Sequence, residues 1–423
     1  MDNSVAVKNN YRKFLLLWSG ELISSIGGGL SSFGLGIYIY QQTGSAAGMS
    51  FMTLLAFLPG LLLKVPAGVL ADRYDRRLLM MIGDGLSGLG VLYILICMMT
   101  GKCQIWQIYV GVTISSVFSA LLEPAFTATI TDLLTKEQYS KANGLVSLAG
   151  SARYLFSPVI AGFLLAVSDI KLILIIDICT FFLTVVCAAV VRKGLATKVT
   201  ENKDPFMKSM KDGWKAVAGI RGLLLLVIVS SFLTLFIGFF QVLAEPFVLS
   251  FSDPKTVGIV ETVCASGMLA GGLLLGIFGI KKNFARILSI SLILSGIGMT
   301  GFGLFHNFYF ISIFGFMFFL GMAYANNSLD YLVRTNIPDE LQGRAWGFIG
   351  LISQMGYVVA YLFSGLLADG IGHITERGSG FGSSVLIIVS GIGLAAISFV
   401  LLFIKSIRQL EYADKKENIC LES

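Results

Sequence analysis

Charged side chains are scarce in this chain. Asp, Glu, Lys and Arg make up 13% of its 423 residues, while 55% are hydrophobic. A soluble globular protein carries about 25% charged residues, so most of this surface faces something other than water, and the soluble multidomain arrangement that length suggests is excluded. Histidine is confined to His306 and His373. The six cysteines (Cys97, Cys103, Cys179, Cys187, Cys264 and Cys420) form no Cys-x-x-Cys and no metal-ligand spacing, so neither a metal site nor a redox motif is expected. There is no Walker A loop, no His-Glu-x-x-His and no nucleophile elbow, which argues against an ATP-driven pump and against an enzyme. No resident cofactor is expected, and an ion gradient is left as the energy source. A cleavable signal is also lacking: polar Met1 to Lys13 leads into an apolar stretch too long for one, with no small-residue cleavage site behind it.

Long apolar runs are what the chain has. A bilayer core about 30 Å thick needs about 20 apolar residues per helix. The pattern predicts spans near 14–40, 47–71, 78–99, 106–126, 145–168, 171–191, 223–249, 257–278, 286–305, 308–328, 345–368 and 381–404. The fold class expected is therefore an all-α membrane protein of twelve transmembrane helices in two six-helix bundles. The 48 glycines against 8 prolines suit such a bundle, because small residues let helix backbones approach.

Basic residues distribute unevenly around these spans. Lys102, Lys171, Lys255 and Arg377 fall in the loops on one side, Lys64 and Arg153 fall inside spans, and the remainder of the 31 lie on the side of the termini. Cytoplasmic loops are enriched in Lys and Arg, so both termini are expected in the cytoplasm of a cell membrane. The net charge of +6 is then topology, not a nucleic-acid footprint.

The predicted organisation is a bundle at 1–191, a cytoplasmic linker at 192–222, a bundle at 223–404 and a cytoplasmic tail at 405–423. In the linker Phe206, Met207, Met210, Trp214 and Val217 recur at helical spacing among lysines, so 205–219 reads as an amphipathic helix on the membrane surface. A shift of 203 residues superposes Glu137 on Glu340, Ala142 on Ala345, Gly144 on Gly347, Gly162 on Gly365 and Leu164 on Leu367, the pattern of a duplicated half.

The sharpest motif follows the second span: Gly68-Val-Leu-Ala-Asp72-Arg73-Tyr-Asp75-Arg76-Arg77. Gly68 lacks a side chain where helices can cross closely. Asp72 can sit near a helix N-terminus, where the dipole favours negative charge. Arg73, Arg76 and Arg77 can pair with acids on neighbouring loops, Asp132 being a candidate. This run resembles the cytoplasmic signature of the major facilitator superfamily, and the chain looks like its macrolide-efflux and enterobactin-exporter branch. Phe57-Leu-Pro59, Ser157-Pro158, Asp177 after Ile176, and Ala265-Ser-Gly-Met-Leu-Ala-Gly-Gly272 carry the closer likeness, with Gly162 following the Ser-Pro step. The resemblance implies two six-helix bundles, alternating access, and proton-coupled export of an amphipathic molecule. The corresponding loop of the second half, Gly276-Ile-Phe-Gly-Ile-Lys281-Lys282, lacks the acid, and Ser157 stands where antiporters of the superfamily often carry Gly.

Ionisable residues within spans are costly, about 2.5–3.5 kcal/mol each on insertion scales, and mark functional candidates. Glu21, Lys64, Asp84, Glu123 and Arg153 fall nearer the cytoplasm, and Asp177, Glu245 and Glu261 nearer the outside. Three acids against two bases leave the inner layer short of positive charge. Glu21 and Glu123 are the first candidates for binding a proton or a cationic substrate. Asp84 and Arg153 read equally as a static pair, Lys64 as a side chain reaching for the surface, and Gln241, Glu245 and Gln354 as polar contacts for a ligand.

The expected function is secondary active transport, namely proton-coupled efflux of a macrolide-type or multidrug substrate by a monomer. The partners expected are a small molecule, protons and the lipid bilayer, without nucleic acid. A siderophore or lipid exporter or importer on the same fold is the nearest alternative. A non-transporting membrane sensor or scaffold is the alternative of another class.

Overall fold

The structure is a computed structural model that describes residues 2–101, 103–192, 214, 218–219, 221–337 and 339–411. Most of the predicted 205–219 helix therefore lies outside the described residues. The helices are α1 (Asp2–Thr43), α2 (Ala46–Arg73), α3 (Arg76–Met99), α4 (Ile105–Ser119), α5 (Leu122–Leu133), α6 (Tyr139–Val167) and α7 (Ile170–Arg192), then α8 (Arg221–Leu249), α9 (Pro254–Phe278), α10 (Phe284–Leu304), α11 (Phe308–Arg334), α12 (Asp339–Ile374) and α13 (Gly378–Leu401). Among the described residues twelve helical stretches are long and apolar enough to cross a membrane.

One predicted span departs from a single helix. The fourth breaks at Ala120–Leu121 into α4 and α5, and the pair runs Ile105–Leu133. Pro124 stands in the first turn of α5, where its missing N–H costs nothing, whereas Pro59, Pro66, Pro158 and Pro246 lie inside unbroken helices. The ninth and tenth spans are parted at Phe305 and Asn307, where Asn307 caps α11 by accepting from Tyr309 N at 2.9 Å.

The chain divides into two units. Unit 1 is Met1–Thr43 with Phe51–Lys203, and unit 2 is Gly44–Ser50 with Asp204–Ser423. In unit 1, α1 packs on α6 and α7, and α3 packs on α4 and α7. The α1–α7 contact is an antiparallel seam of small residues. A Cβ at Gly20 would meet Cys187 and Thr184, one at Gly27 would meet Thr180 and Asp177, and one at Gly34 would meet Ile170 and Ile173. The seven-residue spacing puts all three glycines on one stripe of α1.

In unit 2, α8 packs on α12 and α13, α9 on α11, and α10 on α11 and α13. The Gly44–Ser50 segment joins unit 2 through Asp369 of α12. Its carboxylate accepts from Ser45 Oγ, from Ala46 N at 2.9 Å and from Ala47 N at 3.1 Å, so it caps the first turn of α2. Gly365, one turn earlier, leaves room: a Cβ there would strike Ala46 O at 2.5 Å.

Candidate functional site

The buried face of α3 reads Met80, Gly83, Asp84, Ser87 and Val91, a stripe at helical spacing with one acid in it. The buried face of α7 likewise runs Ile170, Ile173, Leu174, Asp177, Phe181 and Thr184. Helix α7 packs against both α1 and α3, and so gathers Glu21, Asp84 and Asp177 into one part of unit 1. Asp84 is fully buried, and Asp177 is 1% exposed. Asp84 lies within electrostatic reach of both Glu21 and Asp177.

The three acids are not equally served. Thr180 Oγ1 lies 3.5 Å from Asp177 Oδ1, and Asp177 reaches the backbone edge left open by Gly27. Neither carboxylate oxygen of Asp84 has a hydrogen-bond partner among the described residues, nor has Glu21 Oε2. Asp84 and Arg153 do not form the static pair that was expected. Arg153 projects from α6 along α1, donates from Nη2 to Ser32 Oγ at 3.3 Å, and lies within electrostatic reach of Glu21 and Asp177. One guanidinium thus lies within electrostatic reach of two of the three acids, and the third, Asp84, is fully buried. An uncompensated carboxylate in such surroundings costs several kcal/mol in its charged form.

Glu123 departs from the expectation. Its side chain is exposed in the first turn of α5, and Lys64 Nζ stands 3.5 Å from its Oε1, so it is neither buried nor uncompensated.

Ser157 Oγ donates to Ile26 O at 2.9 Å, and a Cβ at Gly29 would collide with Ser157 and Arg153. The Ser157-Pro158 step is therefore where α6 meets α1, with Gly162 buried one turn beyond. Trp18 Nε1 adds a bond to Leu145 O at 2.7 Å. In unit 2, Gln241 Oε1 accepts from the Tyr361 hydroxyl at 2.7 Å. Glu245 Oε2 and Gln354 Oε1 are buried without partners among the described residues, and Glu245 lies within electrostatic reach of Glu261.

The signature loop is a lattice of charges. Asp132 at the end of α5 accepts from Arg76 Nη1 at 2.8 Å and from Arg77 Nη2 at 3.2 Å. Arg76 also donates to Ala71 O and Ala128 O, closing the α2–α3 turn on α5. Asp75, unremarked in the sequence beyond its place in the motif, caps α3 by accepting from Arg77 N at 3.1 Å, and is held by Arg192 Nε at 2.7 Å. Partial burial works to raise its carboxyl, but the Arg192 guanidinium and the Arg77 and Leu78 amides outweigh that and hold it below the usual carboxylate range. Arg73 is exposed and Asp72 half-buried. The close crossing expected at Gly68 is not seen: a Cβ there would meet nothing within 4 Å among the described residues.

Similarity to known proteins agrees with this architecture. The profile of the Major Facilitator Superfamily matches residues 17–252 and 227–418. The chain belongs to the major facilitator superfamily. The two overlapping matches fall one on each half of this superfamily member. It is 28% identical over 373 residues to "Macrolide efflux protein A" of Streptococcus pyogenes, covering 86% of this chain and 91% of that one. It is 22% identical over 375 residues to "Multidrug efflux pump Tap" of Mycobacterium bovis, covering 86% and 88%. In fold it resembles a bacterial homologue of the human lysosomal transporter Spinster in an inward-facing, unoccupied conformation, with TM-score 0.74 at 12% identity over 96% of this chain and 98% of that one. The protein is thus a multi-pass membrane transporter of this superfamily.

Proposed function

We propose that this transporter exports an amphipathic, drug-like molecule of macrolide or multidrug type, driven by protons returning across the membrane. The observation that supports it above others is Asp84: a fully buried carboxyl in a membrane span, without a partner among the described residues, and within electrostatic reach of Glu21 and Asp177. A proton arriving there removes a charge the surroundings do not balance, and a proton leaving restores it. Such a group biases two conformations differently according to its occupancy, which is what coupling requires. In this reading Arg153 keeps Glu21 and Asp177 from adding to the burden, and both termini face the cytoplasm. The macrolide and multidrug relatives support the direction and substrate class.

The test is a panel of macrolides, other amphipathic drugs, siderophores and lipids offered to cells that carry or lack the protein. Depletion of a macrolide or amphipathic drug from the cell is the expected result. Accumulation would reverse the direction, and selective movement of a siderophore or lipid would replace the substrate class.

A further inference from the structure

Helix α10 begins in unit 2 where α3 begins in unit 1, each following the second span of its half. The first turn of α3 is capped from within its own loop, Asp75 accepting from the second helical amide, Arg77 N, at 3.1 Å. The loop before α10 holds no acid. Its N-cap, Asn283, has a left-handed backbone with φ 63° and makes no side-chain capping bond. The exposed first-turn amides of a helix need an acceptor, and a carboxylate serves them best.

That acceptor is supplied from the other end of the chain. Glu411 Oε1 accepts from Ala285 N, the second helical amide of α10, at 2.6 Å. The strap carrying Glu411 is seated firmly. Ile407 and Leu410 are buried, Asn336 Nδ2 donates to Leu410 O at 3.1 Å, and a Cβ at Gly222 would collide with Leu410 and Ser406 O at 2.8 Å. The starts of α8 and α10 and the segment after α11 thus meet on one strap.

We infer that Glu411 is a positioning residue for transport: it stands in for the acid missing from the second-half signature loop and ties the start of α10 to the strap on which Leu410 and Ser406 seat the start of α8 and the segment after α11. In unit 1 the ties from Arg76 and Arg77 to Asp132 do the equivalent work on α3 and α5. The consequence for turnover rests on the transport reading above, whereas the capping bond is measurable without any substrate.

The experiment compares wild type, Glu411→Ala and Glu411→Gln in full-length protein. Hydrogen exchange is followed at the start of α10 and, as an internal reference, at the start of α3. Loss of a cap is worth about 1 kcal/mol, so Glu411→Ala should speed exchange at the start of α10 about fivefold and leave α3 unchanged. Its maximal transport rate should fall by a similar factor at constant KM. Glu411→Gln keeps the size and an acceptor, so it guards against a variant that fails to fold, and it should shift both readouts in the same direction by less. Wild-type exchange and wild-type turnover in both variants would overturn the inference, as would a change in KM alone. If wild type itself moves no solute, the transport reading fails, and the exchange comparison still decides the role of Glu411 as the cap.

Discussion

Lys64 Nζ lies 3.5 Å from Glu123 Oε1, and this exposed pair removes Glu123 from the uncompensated acids of unit 1. An exposed ion pair is worth at most about 1 kcal/mol, whereas Asp84 is enclosed without a partner among the described residues. Glu123→Gln should therefore keep transport within about threefold of wild type. Asp84→Asn and Glu21→Gln should each lower gradient-driven transport by about tenfold or more, the loss expected when about 1.4 kcal/mol of coupling disappears. Initial rates at saturating substrate, normalised to protein in the membrane, make the comparison.

Neighbouring glycines on α1 provide a matched test of the seam that brings Asp177 to α1. A Cβ at Gly27 would collide with Thr180 Oγ1 and lie 2.9 Å from Asp177 Oδ1, while one at Gly28 would meet nothing within 4 Å among the described residues. Overpacking of this kind costs about 1–3 kcal/mol. Gly27→Ala should lower the detergent melting temperature and transport together, and Gly28→Ala should leave both near wild type. Equal melting curves for the two variants would contradict the seam.

Asp132 pairs with two guanidinium groups at once, and the Arg77 side chain is only 3% exposed. Removing one member of such a buried set costs about 3 kcal/mol because the charge left behind stays enclosed. Asp132→Asn should be markedly destabilised, and pairing it with Arg77→Met should recover part of the loss. A double variant no more stable than the single one would show that Arg77 is not the stranded charge.

Asp75 carries a pH dependence whose sign is fixed by its partners. Its carboxyl is held below the usual range in the folded protein. The stabilisation it contributes is therefore fully present above the unfolded value of about 3.9, and it is lost as pH falls through the lower folded value. Melting temperature should show no Asp75 contribution to its change between pH 7 and 5, and a loss below about pH 4. Asp75→Asn should start lower at neutral pH and lose less on acidification.

The sequence made the spans legible because a run of about 20 apolar residues has few other uses. It also exposed Asp84 and Asp177 as charges inside hydrocarbon. The pairing was not legible, because which acid meets Arg153 depends on how α6 is rotated about its own axis against α1. A signal did exist in Gly20, Gly27 and Gly34, whose spacing marks the stripe of α1 that α7 approaches. The break in the fourth span was not legible from Pro124, because Pro59, Pro66, Pro158 and Pro246 lie inside unbroken helices. Asp369 and Glu411 were hidden for another reason: each caps a helix start far away in sequence, and no local pattern announces a cap made at that distance.

In the proposed mechanism an uncompensated acid in unit 1 couples a proton gradient to solute movement. The most direct measurement is accumulation of a macrolide in inverted membrane vesicles with an imposed acidic interior, comparing wild type with Asp84→Asn at equal protein levels. Wild type should accumulate the drug only while the gradient lasts, and Asp84→Asn should give the same slow entry with or without it. Gradient-driven accumulation undiminished in Asp84→Asn, or wild-type uptake indifferent to the gradient, would contradict the account.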